Sequence, residues 1–419
     1  MVGPIAEGVN ANPGHSLRPQ IHDHTESPEV TLLPHLHHAL PYTLPLYRRI
    51  QFGHHSQHTR ILATVPAQDS PSPSTTTPTN GEPNPKEARE QLHQCFAATY
   101  TDRSRRPETE SWLYVSWDHP SHPQSTSACT CGHHLLSLLS HIAAGNEDPV
   151  VPYPALTPAE EADIWAAVTA ADARETAAKY HTHTSASAAR YLDDLHAPAM
   201  LKVGTMHATG VEWARRLGLL HRDGVGTGFA YRKYVFYDTR RDGGEEEEEE
   251  VLVVEKARGK VMGEGEWEGL RWGTLREEDL AVARSRTAIP RTNRTLRTLP
   301  SVAVFAAVPS GAGREEGGKQ KEMPVAWAVL AVDGSLSSLH VEPEYRGKGL
   351  AKAMGRKIFH EGWDAFGDDL NGLAHADVAL ENAESNGVCK SLGGTDQDWH
   401  VYWVRIDLDR VREVVSASP

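Results

Sequence analysis

Cysteine is scarce in this sequence, with four residues among 419. So few thiols cannot supply a disulfide framework, and a reducing intracellular compartment is the simplest interpretation. No stretch approaches the roughly 18 uninterrupted apolar residues that a transmembrane helix requires. The first 19 residues lack a basic region followed by an apolar stretch, so no secretory signal is expected there. These absences predict a cytoplasmic protein and do not exclude the nucleus.

Positive charge is also in short supply. The sequence has 42 Lys and Arg residues against 56 Asp and Glu, which gives a net charge of −14. Because phosphate backbones and anionic bilayers attract basic surfaces, neither nucleic acid nor a membrane is predicted as a partner. Apolar residues make up 39% of the chain, which is typical of a globular protein and excludes collagen-like and coiled-coil architectures.

Low-complexity segments divide the chain into two parts. The N-terminal residues lack hydrophobic periodicity, residues 68–85 are rich in Ser, Thr and Pro, and residues 245–250 are six consecutive glutamates that repel one another. We predict a disordered tail (1–27), a first domain (28–240) with a disordered insertion (68–88), an acidic linker (241–266), a second domain (267–410) and a tail (411–419).

The second domain alternates strands and helices in an informative order. A capping box at residues 274–277 predicts a helix that ends before Pro290. Three strand-like segments follow at residues 301–308, 325–332 and 335–341, and Asp333-Gly334 predicts a tight hairpin between the last two. A glycine-rich turn, a helix (351–360), a strand (377–380), a helix (383–392) and a strand (399–408) complete the domain. This order predicts an α/β fold of the α+β type with a mixed sheet.

The glycine-rich turn carries the clearest chemical signal. Residues 346–351 read Arg-Gly-Lys-Gly-Leu-Ala and connect a predicted strand to a predicted helix. Glycines let successive backbone N–H groups face one concavity at a helix N-terminus, where free donors and the positive end of the dipole favour a phosphate group. Arg346 and Lys348 add positive charge. The alternative is an ordinary glycine-containing turn with two surface cations.

This turn resembles the acyl-CoA signature of the GNAT superfamily of N-acyltransferases, Arg/Gln-x-x-Gly-x-Gly/Ala after a strand. Arg346, Gly349 and Ala351 fill its three positions, and Asn382 with Leu392-Gly393 resembles a second, downstream motif. The similarity covers residues 267–408, and the amino-acid sequence around the hairpin is most similar to that of the glycine N-acyltransferase-like branch. A GNAT-like fold for the C-terminal half follows from the resemblance.

The resemblance implies an enzyme, an N-acyltransferase of the acetyltransferase type. It would move an acyl group from acetyl-CoA or another acyl-CoA to an amine of a small molecule or peptide, without a metal. The alternative is a non-catalytic module that binds acyl-CoA or a protein partner. The residues that the resemblance implies for cofactor binding are Leu339, Val341, Arg346, Gly347, Lys348, Gly349, Leu350, Ala351 and Ser385.

Transfer to an amine requires a base that accepts the ammonium proton and an acid that protonates the CoA thiolate. Glu342 is the first candidate for the base, ahead of His340, Glu344 and Glu381. Asn382 is expected to line the slot or to cap the following helix.

Many members of the superfamily place a tyrosine seven residues after the asparagine, but Cys389 stands there in this sequence. Packing is the expected role of a cysteine at that position, which leaves water or Tyr402 to protonate the thiolate.

An acceptor pocket is expected between the first helix and the strands of the second domain. Arg286 or Arg291 is suited to bind an acceptor carboxylate through a bidentate pair. The alternative is a solvated basic stretch, which is slightly favoured for the arginines at 284, 286, 291, 294 and 297.

The first half resembles a degenerate copy of the second. Residues 203–218 align with 378–393, the aligned Val and Leu are 14 positions apart in both, and His207 stands where the second copy has Asn382. The alternative is a chance similarity, because a strand, a helix and Leu-Gly in this order are common. No Arg-x-x-Gly-x-Gly/Ala turn lies between Trp117 and Val203, so this half is expected to act as a scaffold or as a wall of the acceptor site.

A short run that contains Cys129, Cys131, His133 and His134 has the residue types of a zinc site. Structural sites usually separate two ligand pairs by a longer interval, so no metal is predicted there.

Overall fold

The structure, a computed structural model, describes residues 18–67, 94–106, 108–123, 129–145, 157–159, 162, 165, 197–221, 229–237, 239, 269–287, 291–307, 322–367 and 369–417. The predicted insertion at 68–88 and linker at 241–266 lie outside the described residues. The tail predicted at 1–27 is wrong for residues 18–27, because His22 pairs with Ala63 in a sheet and His24 is buried.

Twelve strands among the described residues form two sheets. The larger sheet has the order β1-β2-β3-β4-β5-β12-β6-β11, and the smaller has the order β10-β9-β8-β7. Within the described part of the chain, one parallel bridge joins the two sheets, between Ser335, just before β10, and His375 of β11. The strands are β1 (His22–Asp23), β2 (Thr59–Ala63), β3 (Ala97–Asp102), β4 (Ser111–Val115), β5 (Met200–His207), β6 (Tyr231–Phe236), β7 (Leu270–Gly273), β8 (Ser301–Ala307), β9 (Glu322–Leu330), β10 (Leu336–Val341), β11 (Ala374–Ala379) and β12 (Thr395–Asp407).

Helices connect these strands and cover the faces of the sheets. The helices are α1 (Pro28–Thr31), α2 (Leu33–His37), α3 (Leu44–Gln51), α4 (Cys131–Gly145), α5 (Ala208–Arg216), α6 (Leu280–Ser285), α7 (Asn293–Leu296), α8 (Leu350–Glu361), α9 (Ala383–Ser391) and α10 (Leu408–Ala417). Among the described residues, no helix is long and apolar enough to cross a membrane.

The two halves of the chain repeat one order of elements. Among the helices and strands named above, β4, α4, β5, α5 and β6 occur in this order in the first half, and β10, α8, β11, α9 and β12 do so in the second. Pairing repeats as well, since β4–β5 and β10–β11 are parallel whereas the neighbouring strands within each half are antiparallel. The mixed α/β fold and the duplication predicted from the sequence are confirmed.

The last strand of each half lies in the other half. The second half's β12 pairs with β5 of the first half, and the first half's β6 pairs with β11 of the second. The two exchanged strands also pair with each other at the centre of the larger sheet. Reciprocal exchange therefore joins the halves through backbone hydrogen bonds.

Both hydrophobic cores mix residues from the two halves. The core around α4 and β5 contains Val404 and Ile406 of β12, and the core around α8 and β11 contains Tyr234 and Phe236 of β6. The boundary predicted between residues 240 and 267 thus separates two stretches of sequence, yet neither stretch builds a core by itself.

The C-terminal helix differs from the tail predicted at 411–419. Residues 408–417 form α10, which packs against α4, and Leu408 and Val411 are fully buried there. Their three-residue spacing puts both side chains on one helical face. In the second half, the helix predicted from the capping box at 274–277 begins later, because residues 277–279 form a single 3-10 turn before α6.

Candidate functional site

A slot opens between β10 and β11. Among the described residues, these neighbouring parallel strands share only the bridge at Ser335 and His375, and they separate beyond it. β10 also carries a bulge between Ser337 and His340, where Ser338 adopts a φ of +50°. Bulges of this kind redirect a strand and interrupt its ladder. The backbone of Leu339, His340 and Val341 therefore borders the slot.

The glycine turn stands at the end of this strand. Gly347 and Gly349 have φ angles of +76° and +80°, and a Cβ added at either position would meet no atom within 4 Å. Gly349 is the N-cap of α8, a helix of 12 residues. Left-handed φ angles favour glycine. The open space above both residues leaves room for a ligand. The turn at residues 346–351 is therefore left-handed at both glycines and open above them.

The surroundings of the turn are basic and open. Arg346, Gly347, Lys348 and Gly349 are exposed, whereas Leu350 is buried beneath them in the core. The Arg346 guanidinium donates through Nε to the Val341 carbonyl at 2.8 Å, which ties the turn to the end of β10. The backbone N–H groups at the start of α8 thus face solvent beside two cationic residues.

His340 and Glu342 lie next to each other where β10 ends. The His340 Nε2 and Glu342 Oε2 atoms are 3.5 Å apart, and Arg286 Nε donates to Glu342 Oε1 at 2.8 Å. The His340 ring stacks on Trp327 with 4.6 Å between ring centroids. Arg286 orients one oxygen of the carboxylate and leaves the other directed at the imidazole.

Burial makes His340 a neutral imidazole at physiological pH. Desolvation lowers the pKa of His340 below its ordinary value, and the nearby Glu342 carboxylate only partly opposes this effect. Its Nε2 atom is buried and makes no hydrogen bond, although Glu342 Oε2 lies 3.5 Å away. A neutral imidazole with a free nitrogen is able to accept a proton.

Asn382 and Ser385 lie at the start of α9, directly after β11. The Asn382 Oδ1 atom accepts a hydrogen bond from the Ser385 backbone N–H at 3.0 Å, so the capping role anticipated for Asn382 is present. His207 caps α5 of the first half in the same way and accepts from the Thr209 N–H at 3.2 Å. The aligned asparagine and histidine thus share this structural role.

The two residues considered as acids for the thiolate do not lie in the slot. Cys389 is buried in the core, and burial raises the pKa of its thiol to about 12, so the thiol packs as expected. Tyr402 lies opposite Met206 in the first half's part of the sheet, since β12 is an exchanged strand. The strand beside β11 is β6, which places Tyr231 opposite Ala379 at the end of β11.

Each of the five arginines at residues 284–297 is buried or contacts another residue, so a fully solvated basic stretch is wrong. Arg284 is buried, Arg286 pairs with Glu342, and Arg291 donates to the Ser337 hydroxyl on β10 at 2.6 Å. Arg297 pairs with Glu277. Arg286 and Arg291 are the two that reach the strand beside the slot.

The corresponding slot of the first half is closed. Parallel pairing of β4 with β5 covers only Ser111 and Trp112, and beyond it a small cavity is lined by Asp118 and His207. The rings of Tyr42 and Trp399, whose centroids are 4.0 Å apart, also line this cavity. Aromatic side chains therefore fill the space that stays open in the second half.

Asp118 is expected to make stability depend on pH. Burial raises its pKa to about 8 from an ordinary value of 3.8, so the folded state binds its proton more tightly than the unfolded chain does. The resulting stabilisation is complete below the pKa of Asp118 in the unfolded chain. It is lost as the pH rises through the pKa of Asp118 in the folded protein. Because asparagine mimics the protonated acid, Asp118→Asn should gain stability over the parent as pH rises and level off above about 8. Urea unfolding across pH measures this gain.

A matched control is Asp364→Asn, which changes an exposed carboxylate on the surface of the second half. Because this side chain is already in solvent, the substitution should change the unfolding free energy by less than about 0.5 kcal/mol. A difference between Asp118→Asn and the parent that stayed constant from pH 5 to pH 9 would show that Asp118 is ionised in the folded protein.

Comparisons with known families agree with this geometry. Residues 18–234 match the family described as the acyl-CoA N-acyltransferase verG N-terminal domain. Residues 315–404 match the family described as FR47-like protein, and this match includes the slot and the glycine turn. No curated protein matches the sequence.

Several solved structures are similar over most of the chain. A Drosophila protein shares 12% identity and covers 92% of this chain and 98% of its own, with a TM-score of 0.45. A tandem GNAT protein from the clavulanic acid biosynthesis pathway shares 11% identity over 93% of this chain and 98% of its own, with a TM-score of 0.37. A GCN5-related N-acetyltransferase from Kribbella flavida shares 9% identity over 52% of this chain and 75% of its own, with a TM-score of 0.28. With the first family match covering more than half of the 419 residues, the chain belongs to the family of the acyl-CoA N-acyltransferase verG N-terminal domain, within the GNAT superfamily.

Proposed function

We propose that this protein is a cytoplasmic N-acyltransferase that moves an acyl group, most simply acetyl, from acyl-CoA to an amine of a small molecule or peptide. The observation that carries the proposal is the turn at residues 346–351. Two left-handed glycines with open space above them precede a 12-residue helix beside a slot in the sheet. Backbone donors, the helix dipole and two cations converge there, and these features favour a pyrophosphate.

The slot suits the remainder of the CoA molecule. The backbone of Leu339, His340 and Val341 would bind the pantetheine arm, because β10 has few ladder partners on the β11 side. Asn382 and Ser385 would line the opposite wall. The thioester would then lie near the end of β10, where His340 and Glu342 are found.

The proposed chemistry is proton removal followed by displacement. Glu342, with His340 beside it, accepts a proton from the acceptor ammonium, and the neutral nitrogen attacks the thioester carbonyl. The new C–N bond forms as the C–S bond breaks, and the CoA thiolate leaves with a proton delivered by solvent. Arg286 holds the Glu342 carboxylate in place through the 2.8 Å contact.

The acceptor is proposed to carry a carboxylate. Arg291 reaches β10 through Ser337 and presents a guanidinium near the slot, a group well suited to bidentate recognition of a carboxylate. An amino acid would supply both the amine and the carboxylate of such an acceptor. The first half is proposed to support the site as a wall, since aromatic rings fill its own slot.

A thiol-release screen tests this proposal. The full-length protein would be incubated with acetyl-CoA and with amino acids, polyamines, aminoglycosides or peptides in turn, and free CoA would be measured. We expect release that depends on one class of amine. Binding of CoA without release for any acceptor would support the non-catalytic alternative.

Gly349→Asp should abolish CoA binding. Gly349→Asp places a carboxylate against the pyrophosphate and strains a residue whose φ is +80°. Gly349→Ala introduces the same backbone strain without the charge, so it should weaken binding less. Isothermal titration calorimetry with CoA measures both. If Gly349→Asp bound CoA as tightly as the parent protein, the pyrophosphate site would lie elsewhere.

A further inference from the structure

A cluster of three cysteines and one histidine lies in the first half, far along the chain from the glycine turn. Cys95 precedes β3, His122 follows the turn after β4, Cys129 lies just before α4, and Cys131 is the first residue of α4. Their four ligand atoms all lie within 4.8 Å of one another. The cluster assembles three segments of chain around a single point.

The distances within the cluster fit a tetrahedral metal site. The His122 Nε2 atom is 3.5 Å from Cys95 Sγ, 3.7 Å from Cys129 Sγ and 3.3 Å from Cys131 Sγ. Zinc binds sulfur at about 2.3 Å and imidazole nitrogen at about 2.0–2.1 Å, so tetrahedral angles place N and S about 3.6 Å apart. The three observed distances scatter closely around that value.

Hydrogen bonding alone does not account for this arrangement. A neutral imidazole nitrogen either donates one proton or accepts one, so it can satisfy only one of the three sulfurs that surround it. A disulfide would use two of the sulfurs and leave the third beside the imidazole without a role; all three cysteines are free thiols in the structure. A metal ion at the centre gives every one of the four atoms a partner.

The residue types and their burial indicate which metal and which role. Three thiolates and one imidazole form one of the common ligand sets of structural zinc. His122 and Cys131 are buried and the other two cysteines are half-buried, and four protein ligands leave no open position for a substrate. The Thr130 backbone N–H also donates to Cys95 Sγ at 3.3 Å, a contact that would orient that ligand as outer-shell partners do.

The cluster lies where it can hold the start of α4 against the sheet of the first half. α4 occupies the place in the first half that α8 occupies in the second, directly after the fourth strand. Where the second half has its glycine turn, the first half has Cys129 and Cys131. The cluster connects the start of α4 to Cys95, which lies two residues before β3, and to His122 after β4. α4 in turn supplies Leu135, Leu138 and Leu139 to the core of the first half.

We propose that Cys95, His122, Cys129 and Cys131 together bind one structural zinc ion that anchors α4 in the first half. The set differs from the run at Cys129, Cys131, His133 and His134 considered from the sequence. His134 contacts the Thr64 hydroxyl instead, at 2.8 Å, and His122 and Cys95 take the two remaining positions. Binding displaces the protons of the three thiols, so zinc affinity and folding of this half are coupled.

Metal analysis of the full-length protein, expressed in zinc-supplemented medium and purified without chelator, tests the proposal. We expect about one zinc per chain, and replacement by Co²⁺ should give the intense visible absorption of a tetrahedral thiolate site. Cys131→Ser and His122→Ala should reduce the zinc content to background, whereas His133→Ala, on the same helix but outside the cluster, should retain it.

Thiol labelling keeps the proposal testable if those variants do not fold. In the folded parent protein, Cys95, Cys129 and Cys131 should resist alkylation until a strong chelator is added, and the chelator should lower the melting temperature. Parent protein that folds with no stoichiometric zinc would overturn the proposal. So would mass spectra that show a disulfide between two of these cysteines in freshly trapped protein.

Discussion

Glu342→Gln is expected to slow acyl transfer by about 10²- to 10⁴-fold, the usual contribution of general base catalysis. Affinity for CoA should not change, because the proposed cofactor contacts come from the glycine turn and the backbone of β10. Steady-state rates with an acceptor found in the thiol-release screen, together with calorimetry for CoA, measure the two effects separately. The matched control is Glu344→Gln, which removes an exposed carboxylate two residues away and should leave both quantities unchanged.

The pH dependence of the rate provides a second readout of the same substitution. Burial lowers the pKa of His340, and the Glu342 carboxylate raises it again in part. Removing that carboxylate should therefore lower the pKa of His340 further. Because the mechanism uses His340 in its neutral form beside Glu342, the part of the acid limb that His340 contributes should move to lower pH in Glu342→Gln. Part of the lost rate should return at high pH, where the acceptor amine deprotonates without help. Unaltered turnover would remove Glu342 from the mechanism and direct attention to Glu381 or His340.

Separating the two halves should prevent both from folding. A chain that ends at residue 240 lacks β12, and a chain that begins at residue 267 lacks β6, so each would lose a central strand of the larger sheet. Each fragment would also expose the core that the missing strand covers. Circular dichroism of the separate fragments should show little cooperative unfolding, and co-expression should restore a folded complex. Independent, cooperative folding of either fragment would contradict the exchange of strands.

A point substitution examines the same feature in the intact chain. Ile406 of β12 is fully buried in the core of the first half, so Ile406→Ala should cost about 2–5 kcal/mol of unfolding free energy. Val30→Ala truncates a side chain that is 61% exposed and should change stability by less than about 0.5 kcal/mol. Because both cores contain residues from both halves, we expect Ile406→Ala to lower the midpoint of one common unfolding transition.

The order of elements in the second half could be predicted from the sequence because its signals are local. Asp333-Gly334 indicates the hairpin, and β9, the strand before it, is mostly buried and rich in Val and Ala. α8 is one residue longer at each end than the predicted helix 351–360, and α9 ends one residue before the predicted helix 383–392. The signal for the glycine turn is also local, because the glycines at 347 and 349 are the two residues that adopt left-handed φ angles.

Strand partners could not be predicted in this way. The pattern of β12 indicates a strand but carries no information on whether β11 or β5 lies beside it, and a partner within the same half is the simpler expectation. The exchange moves Tyr402 to the first half and brings Tyr231 beside β11, which is why Tyr402 does not reach the slot. The same limit applies to Cys95 and His122, which reach Cys129 only through the folded sheet.

Elements of the first half were also missed for physical reasons. β2 and β3 flank a long segment without hydrophobic periodicity. Both strands are short, β3 is buried throughout and β2 is buried except at Arg60, so regular alternation is absent. α3 contains two arginines that are buried rather than exposed: Arg48 lies over the Trp363 ring and Arg49 over the Tyr100 ring. Sequence patterns assign such arginines to solvent.

Hydrogen exchange of the full-length protein with and without acetyl-CoA tests most directly the central claim that the second half alone binds the cofactor. Amides of residues 339–341 and 347–351 should exchange more slowly when acetyl-CoA is present, because they would border the pantetheine arm and the pyrophosphate. Amides at the start of α4 and around His207 should exchange at unchanged rates, since Tyr42 and Trp399 fill that slot. Protection confined to the first half, or protection nowhere at saturating acetyl-CoA, would contradict the account.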